Sequence, residues 1–164
     1  LIFLQTPAPL GTAPLAVSFD QQNLTPKDQV YIAGYGRQND ETQGSVSDDA
    51  KLRFAQLSPV DPSEQMDLYY GKFEGAQLLT LHNDQGPAGC SGDSGGPALV
   101  IQDGVLTQVG VASFVFADQD SKATCLGRIS YTRTAYYSQW ILDHSEGRLQ
   151  ATDSATLKSK ASAL

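Results

Sequence analysis

The most constraining feature of this sequence is how short its apolar runs are and how regularly turn residues interrupt them. Residues 14–19, 30–35, 52–57, 68–73, 78–81, 98–101, 105–116 and 129–132 are rich in Val, Ile, Leu, Phe and Tyr. Most of these runs are too short for a packed helix, and Leu15, Val17 and Phe19 show the two-residue period of a half-buried strand. The breaks carry Asn39-Asp40, Ser58-Pro59, Asp61-Pro62, Gly75 and Asp103-Gly104. Asp103-Gly104 is the strongest hairpin signal, because a tight turn between twisted strands needs backbone angles that Gly adopts freely. Only residues 135–144 read as helix: Trp140, Ile141 and the Tyr136-Tyr137 pair recur at helical spacing, and Ser145 to Gly147 follow as a stop. The pattern predicts an all-β barrel or sandwich closed by one C-terminal helix.

Composition narrows the function classes. The chain has 164 residues, enough for one ordinary domain, with 40% hydrophobic and 18% charged residues. Eleven basic residues against eighteen acidic ones leave a net charge of −7, which argues against nucleic acid or an anionic membrane as partner. No apolar run approaches the roughly 18 residues of a membrane span. With two His and two Cys and no Cys-x-x-Cys, nothing points to a metal or another cofactor. The acidic stretch with Asp40, Glu41, Asp48 and Asp49 reads as a solvated loop rather than a calcium site, since its carboxylates lack a fixed ligand spacing. Asn23-Leu24-Thr25 fits the acceptor pattern for N-glycosylation, and coincidence explains it as well.

The chemistry is concentrated in Gly89-Cys90-Ser91-Gly92-Asp93-Ser94-Gly95-Gly96-Pro97. Flanking glycines leave the Ser94 hydroxyl accessible and let a ligand approach the backbone closely. They also free the N–H groups of Gly92 and Ser94 to converge on one developing negative oxygen, an arrangement in which each donor is worth about 3–4 kcal/mol in known enzymes. Asp93 is a carboxylate that requires partners if it is buried. Pro97 ends the loop and opens the next strand. Cys90 and Cys125 by themselves fit either one disulfide or two thiols.

The six residues Gly92-Asp93-Ser94-Gly95-Gly96-Pro97 would arise by chance in a chain this long on the order of once in 10⁵ sequences. They resemble the nucleophile loop of the chymotrypsin/trypsin-like serine proteases. Ala33-Gly34-Tyr35-Gly36-Arg37 resembles that family's Gly-Trp-Gly turn, with Tyr in place of Trp, and Val111-Ala112-Ser113-Phe114-Val115 resembles the strand lining its substrate cleft. Tyr131-Thr132-Arg133 and the Trp140-Ile141 helix are similar to its final strand and helix, so the likeness covers roughly residues 1–144. The resemblance implies the second antiparallel Greek-key β-barrel of a two-barrel fold. Residues 1–11 would form an inter-barrel strand and connector, 12–144 the barrel with its terminal helix, and 145–164 a polar tail or linker. It also implies a Cys90–Cys125 disulfide and hence a secreted or periplasmic protein.

By the same resemblance Ser94 is the nucleophile of an endopeptidase and Gly92 and Ser94 supply its oxyanion hole. Asp93 is the partner of the ammonium created by zymogen cleavage; without that partner it is expected to stay solvated and the oxyanion hole to stay unformed, so this chain alone is expected to be inactive. The base and its orienting carboxylate find no match. His82 falls in a loop that walls the pocket and His144 at the end of the terminal helix, on the far side of the fold. Leu1-Ile2-Phe3-Leu4 reads as the middle of a strand and resembles the one just after the missing Asp. The expected partners are therefore an N-terminal barrel chain carrying His and Asp, in a two-chain enzyme, and a polypeptide substrate. Alternatives are a catalytically inactive binding module and a truncated fragment.

Specificity follows from matched positions. Ala88 falls at the base of the primary pocket, where trypsins have Asp. Ser113 and Phe114 line the cleft, and Val115 and Ile129 occupy wall positions that are often Gly. An apolar, narrowed pocket suits small or medium aliphatic side chains. The long segment 116–124 could reverse this if Asp118 or Asp120 entered the pocket.

Overall fold

A computed structural model describes residues 1–11, 15–20, 23–37, 51–61, 77–83, 86, 88–116 and 125–147. Seven strands are present among the described residues: β1 (Ala16–Val17), β2 (Val30–Gly34), β3 (Arg53–Pro59), β4 (Leu78–His82), β5 (Pro97–Gln102), β6 (Val105–Phe116) and β7 (Arg128–Arg133). Among the described residues a helix, α1 (Ser138–Asp143), follows them. Six strands hydrogen-bond in the order β6-β5-β2-β3-β4-β7, and β6 then pairs with β7 to close an antiparallel barrel. Strand β1 adds to β6 in parallel through Ala16↔Thr107 and Val17↔Gln108. Closure removes the edges that an open sheet of this size would present. It also decides between the two all-β architectures that the sequence pattern allows.

The barrel closes because β6 is long enough to pair on both sides. Its first half lies against β5, from Gln102↔Val105 to Pro97↔Val111, and its second half against β7, from Gly110↔Arg133 to Phe116↔Arg128. A register shift between Ala112 and Phe114 leaves Ser113 without a partner on β7. An extra residue of this kind bends a strand and re-aims one side chain, and Ser113 is exposed while Ala112 is buried. The bend falls beside the glycine-rich loop that carries Ser94.

Inward side chains make one core from every strand of the barrel: Val30 and Ile32 from β2, Leu57 from β3, Leu79 and Leu81 from β4, Val100 from β5, Val109 from β6, and Ile129 and Tyr131 from β7. In β4, Leu78, Leu79, Thr80 and Leu81 are all buried, so the strand reads as a continuous run and not as an alternation. The polar member of that run is satisfied internally, since the hydroxyls of Thr80 and Ser130 hydrogen-bond at 2.9 Å across β4 and β7.

The sequence-based bounds of β2, β4, β5, β6 and β7 agree with the structure within a residue or two. Ser58-Pro59 does not break β3, which runs to Pro59 and pairs there with Leu81. The run at 68–73 lies outside the described residues. The helix is shorter than expected, because residues 135–137 form turns and α1 starts at Ser138. Leu1-Ile2-Phe3-Leu4 is in no strand. A strand exists only as part of a ladder, and this barrel closes through β6 and β7 without these residues, which stay exposed.

Candidate active site

The loop between Cys90 and Pro97 is held by hydrogen bonds to two other parts of the barrel. Asp93 N–H donates to Cys90 carbonyl at 3.1 Å and Gly96 N–H to Asp93 carbonyl at 2.9 Å, which folds the loop onto itself. Gly95 N–H donates to Ala112 carbonyl at 2.9 Å and Ala112 N–H to Gly96 carbonyl at 2.8 Å, which ties it to β6. Ser91 carbonyl accepts from Arg37 N–H at 2.9 Å, which ties it to the segment after β2. The Cys90–Cys125 disulfide joins the loop to the approach to β7, with Cα atoms 4.5 Å apart. Both cysteines are buried, and no free cysteine is present.

Asp93 is half-buried, and its carboxylate is occupied by backbone donors. Oδ1 accepts from Gly36 N–H at 2.8 Å and Oδ2 from Cys90 N–H at 2.9 Å. The expectation that this side chain stays solvated without an ammonium is therefore corrected: two amides take the place of water. The approach requires glycine at two nearby positions, since a Cβ on Gly34 or Gly36 would collide with the Asp93 side chain. Tyr131 lies in the core close enough for Asp93 to act on it. Burial first, and the negative charge of Asp93 second, push its phenol well above the ordinary value of 10.0.

The unused donors of the loop are as informative as the used ones. The N–H groups of Cys90, Asp93, Gly95 and Gly96 all have acceptors, whereas those of Ser91, Gly92 and Ser94 have none among the described residues. Gly92 has φ of 100° and Gly95 of 82°, left-handed conformations that turn the chain sharply on either side of Asp93 and Ser94. Ser94 is exposed, as are Ser91, Gly92 and Gly95.

Three of the expected specificity residues come together and two do not. Ala88 and Ile129 are 1% and 2% exposed and share one buried cluster, with Val115 packed against it. Val115 and Ile129 are register partners across β6 and β7, and Ile129 Cδ1 fills the space where Gly89 would carry a Cβ. Ser113 is exposed on the bulge, and Phe114 packs edge-to-face on Phe116 with ring centroids 5.3 Å apart. Asp118, Asp120 and the acidic stretch 40–49 lie outside the described residues.

Of the two histidines, His144 sits at the end of the terminal helix as expected and His82 departs from the expected loop. His82 belongs to β4, in register with Ser58 and Arg128, and is not in a loop. His144 follows α1, where its ring stacks on Trp140 at 4.6 Å and Nδ1 lies 2.8 Å from Trp140 carbonyl. Sequence reasoning missed the Gly34–Asp93 and Gly36–Asp93 approaches. The signal was there, as the paired glycines of Gly34-Tyr35-Gly36, but their partner is far along the chain.

The trypsin family model matches residues 1–141 of this chain. The chain belongs to the trypsin family. Trypsin-10 of Gadus morhua is 27% identical over 143 residues, which are 87% of this chain and 54% of that protein. Chymotrypsin-like elastase family member 1 of Bos taurus is 32% identical over 115 residues, 68% of this chain and 40% of that protein. The chain thus spans about half the length of the curated relatives it matches. Within the trypsin family likeness, the described strands supply one closed barrel, the glycine-rich loop and the disulfide that braces it.

Proposed function

We propose that this chain is the nucleophile-bearing half of a serine endopeptidase. Ser94 Oγ attacks the carbonyl carbon of a peptide bond, and an imidazole takes its proton as the C–O bond forms. The negative oxygen then sits between Gly92 N–H and Ser94 N–H, each worth about 3–4 kcal/mol in such a site. The observation that carries this reading is the loop itself: Ser94 is exposed, and the N–H groups of Gly92 and Ser94 beside its hydroxyl have no acceptor among the described residues.

Base and orienting carboxylate come, in this reading, from an N-terminal barrel of the same protease, in a two-chain or nicked enzyme released from a zymogen. Its activating ammonium would add to the two amides already on Asp93. Residues 1–11 form the connector, 12–144 the catalytic barrel and 145–164 a tail or linker. The disulfide favours an oxidising setting, secreted or periplasmic. With Ala88 at its base and Val115 and Ile129 at its walls, the primary pocket is apolar, and the substrate side chain it accepts is small or medium and uncharged; the packing of these three side chains in one cluster supports this.

The test is intact-mass analysis of the whole protein carrying this chain, combined with a peptidyl phosphonate that reacts only with an activated serine. Stoichiometric labelling at Ser94, lost in Ser94→Ala without loss of fold, supports the reading. A correctly folded two-barrel protein that never labels makes it an inactive binding module and sinks the proposal.

A further inference from the structure

Asn23-Leu24-Thr25 has no part in the chemistry above. The chain has three asparagines, Asn23, Asn39 and Asn83, and only Asn23 has Ser or Thr two residues on. The residue between is Leu24 and not Pro, so the triplet satisfies the acceptor rule for an N-linked oligosaccharide. A string of this kind arises often by chance, and its surroundings have to decide what it does.

The fold sets the triplet the right way round for a glycan. Leu24 is half-buried and packs against the barrel core, whereas Asn23 and Thr25 on either side of it are exposed. The apolar middle residue pins the segment, and the two residues that the acceptor rule specifies stand on its solvent side. None of the three belongs to a strand, so a bulky sugar on Asn23 breaks no ladder hydrogen bond. Thr25 then opens a turn: its carbonyl accepts from Asp28 N–H at 2.9 Å, and its hydroxyl donates to Asp28 Oδ2 at 2.8 Å. With that hydroxyl already used in the folded chain, the triplet is recognised before the turn closes. The turn adjoins Val30, and β2 carries the chain about 13 Å from there to Gly34, the neighbour of Asp93.

We propose that Asn23 is an acceptor site for an N-linked oligosaccharide. This rests on export of the chain through an oxidising compartment, which the buried Cys90–Cys125 disulfide favours. The co-reactant is an oligosaccharide carried on a lipid pyrophosphate and transferred by a membrane enzyme. Asn23 Nδ2 forms a bond to the anomeric carbon, and the bond from that carbon to the pyrophosphate oxygen breaks. The lipid pyrophosphate leaves with the electron pair, and a base of the transferase takes the amide proton.

The whole protein carrying this chain is secreted from a eukaryotic cell line, and the peptide spanning residue 23 is weighed before and after enzymatic removal of N-glycans in heavy-oxygen water. A glycan is expected on a fraction of the molecules, because Pro26 holds Thr25 extended and narrows the conformations a transferase can use. Its release is expected to leave heavy oxygen at residue 23. Asn23→Gln and Thr25→Val each abolish the modification, and Thr25→Ser, which keeps the hydroxyl, retains part of it. Phosphonate labelling of Ser94 is expected to be the same in Asn23→Gln as in the unsubstituted protein, since the site lies off the glycine-rich loop. Protein secreted with its disulfide closed but with residue 23 bare overturns the proposal, as does a glycan that survives Thr25→Val. Protein that reaches the medium with free thiols overturns the export reading and this proposal with it.

Discussion

Two glycines in this chain, Gly104 and Gly36, are required for opposite reasons. At the β5–β6 hairpin, Asp103 has φ of 52° and Gly104 of 80°, the pair of left-handed conformations that a two-residue turn between twisted strands demands. A Cβ added to Gly104 would meet nothing within 4 Å, so only the backbone angle matters there. At Gly36 the backbone angle is ordinary, but a Cβ would lie 2.5 Å from the carboxyl carbon and both oxygens of Asp93. The hairpin glycine answers to its immediate neighbour, and Gly36 answers to a residue 57 positions later. One is a condition on local conformation and the other on tertiary approach, and they should fail differently.

The largest expected effect tests how much the glycine-rich loop around Ser94 depends on being clamped. The disulfide closes a separation of 35 residues, so reducing it or replacing both cysteines by Ser should cost about 4 kcal/mol in chemical denaturation. A loss below about 1 kcal/mol would show that hydrogen bonds alone hold the loop and that the clamp adds little. Gly36→Ala comes next, at about 3 kcal/mol, because displacing the carboxylate leaves two half-buried amides without an acceptor. In an Asp93→Ala background the same change should be nearly neutral. A penalty that persists there would mean that something other than the carboxylate forbids the side chain.

Gly104→Ala should cost only about 1 kcal/mol, the strain of a left-handed alanine, and Gly104→Asn less. If thermal melts show it costing as much as Gly36→Ala, the contrast between the two positions fails. The smallest effect concerns a third turn, where Asp28 does at the surface what Asp93 does half-buried. Asp28 Oδ2 accepts from Thr25 N–H at 2.7 Å and from Thr25 Oγ1 at 2.8 Å. Those bonds, the backbone one foremost, hold its carboxyl below the ordinary 3.8. A depressed carboxylate contributes stability above its unfolded pKa and loses it as pH falls through the folded one. Asp28→Asn should therefore flatten the stability profile slightly below pH about 4 and leave neutral pH almost unchanged. An equal loss at pH 7 and pH 3 would show that the turn does not depend on the charge.

Much of the barrel is legible in the sequence because its strands are short, bounded by turn residues and β-rich. Val105–Phe116 is recognisable as one run, and Asp103-Gly104 marks the hairpin before it. The bulge at Ser113 is not legible, because it depends on β6 having to pair with β5 and β7 at once. Leu1–Leu4 shows the reverse case: strand-like composition without a ladder to join. Within the candidate site, the string around Ser94 announces the family. It does not announce that Asp93 already has partners, since neither Gly36 nor Cys90 signals its donor by residue type.

By itself, then, the sequence determined which residues could act: a serine among glycines, an adjacent carboxylate, two cysteines, and strands of a size to enclose one core. Those properties belong to side-chain chemistry and short-range backbone preference, and both survive in a linear string. Only the tertiary structure decided that the strands close through β6 and β7, that Asp93 is held by amides from two segments, and that the N–H groups of Gly92 and Ser94 have no acceptor among the described residues. Hydrogen bonds between distant segments depend on where the closed barrel brings them, and no local pattern encodes that distance.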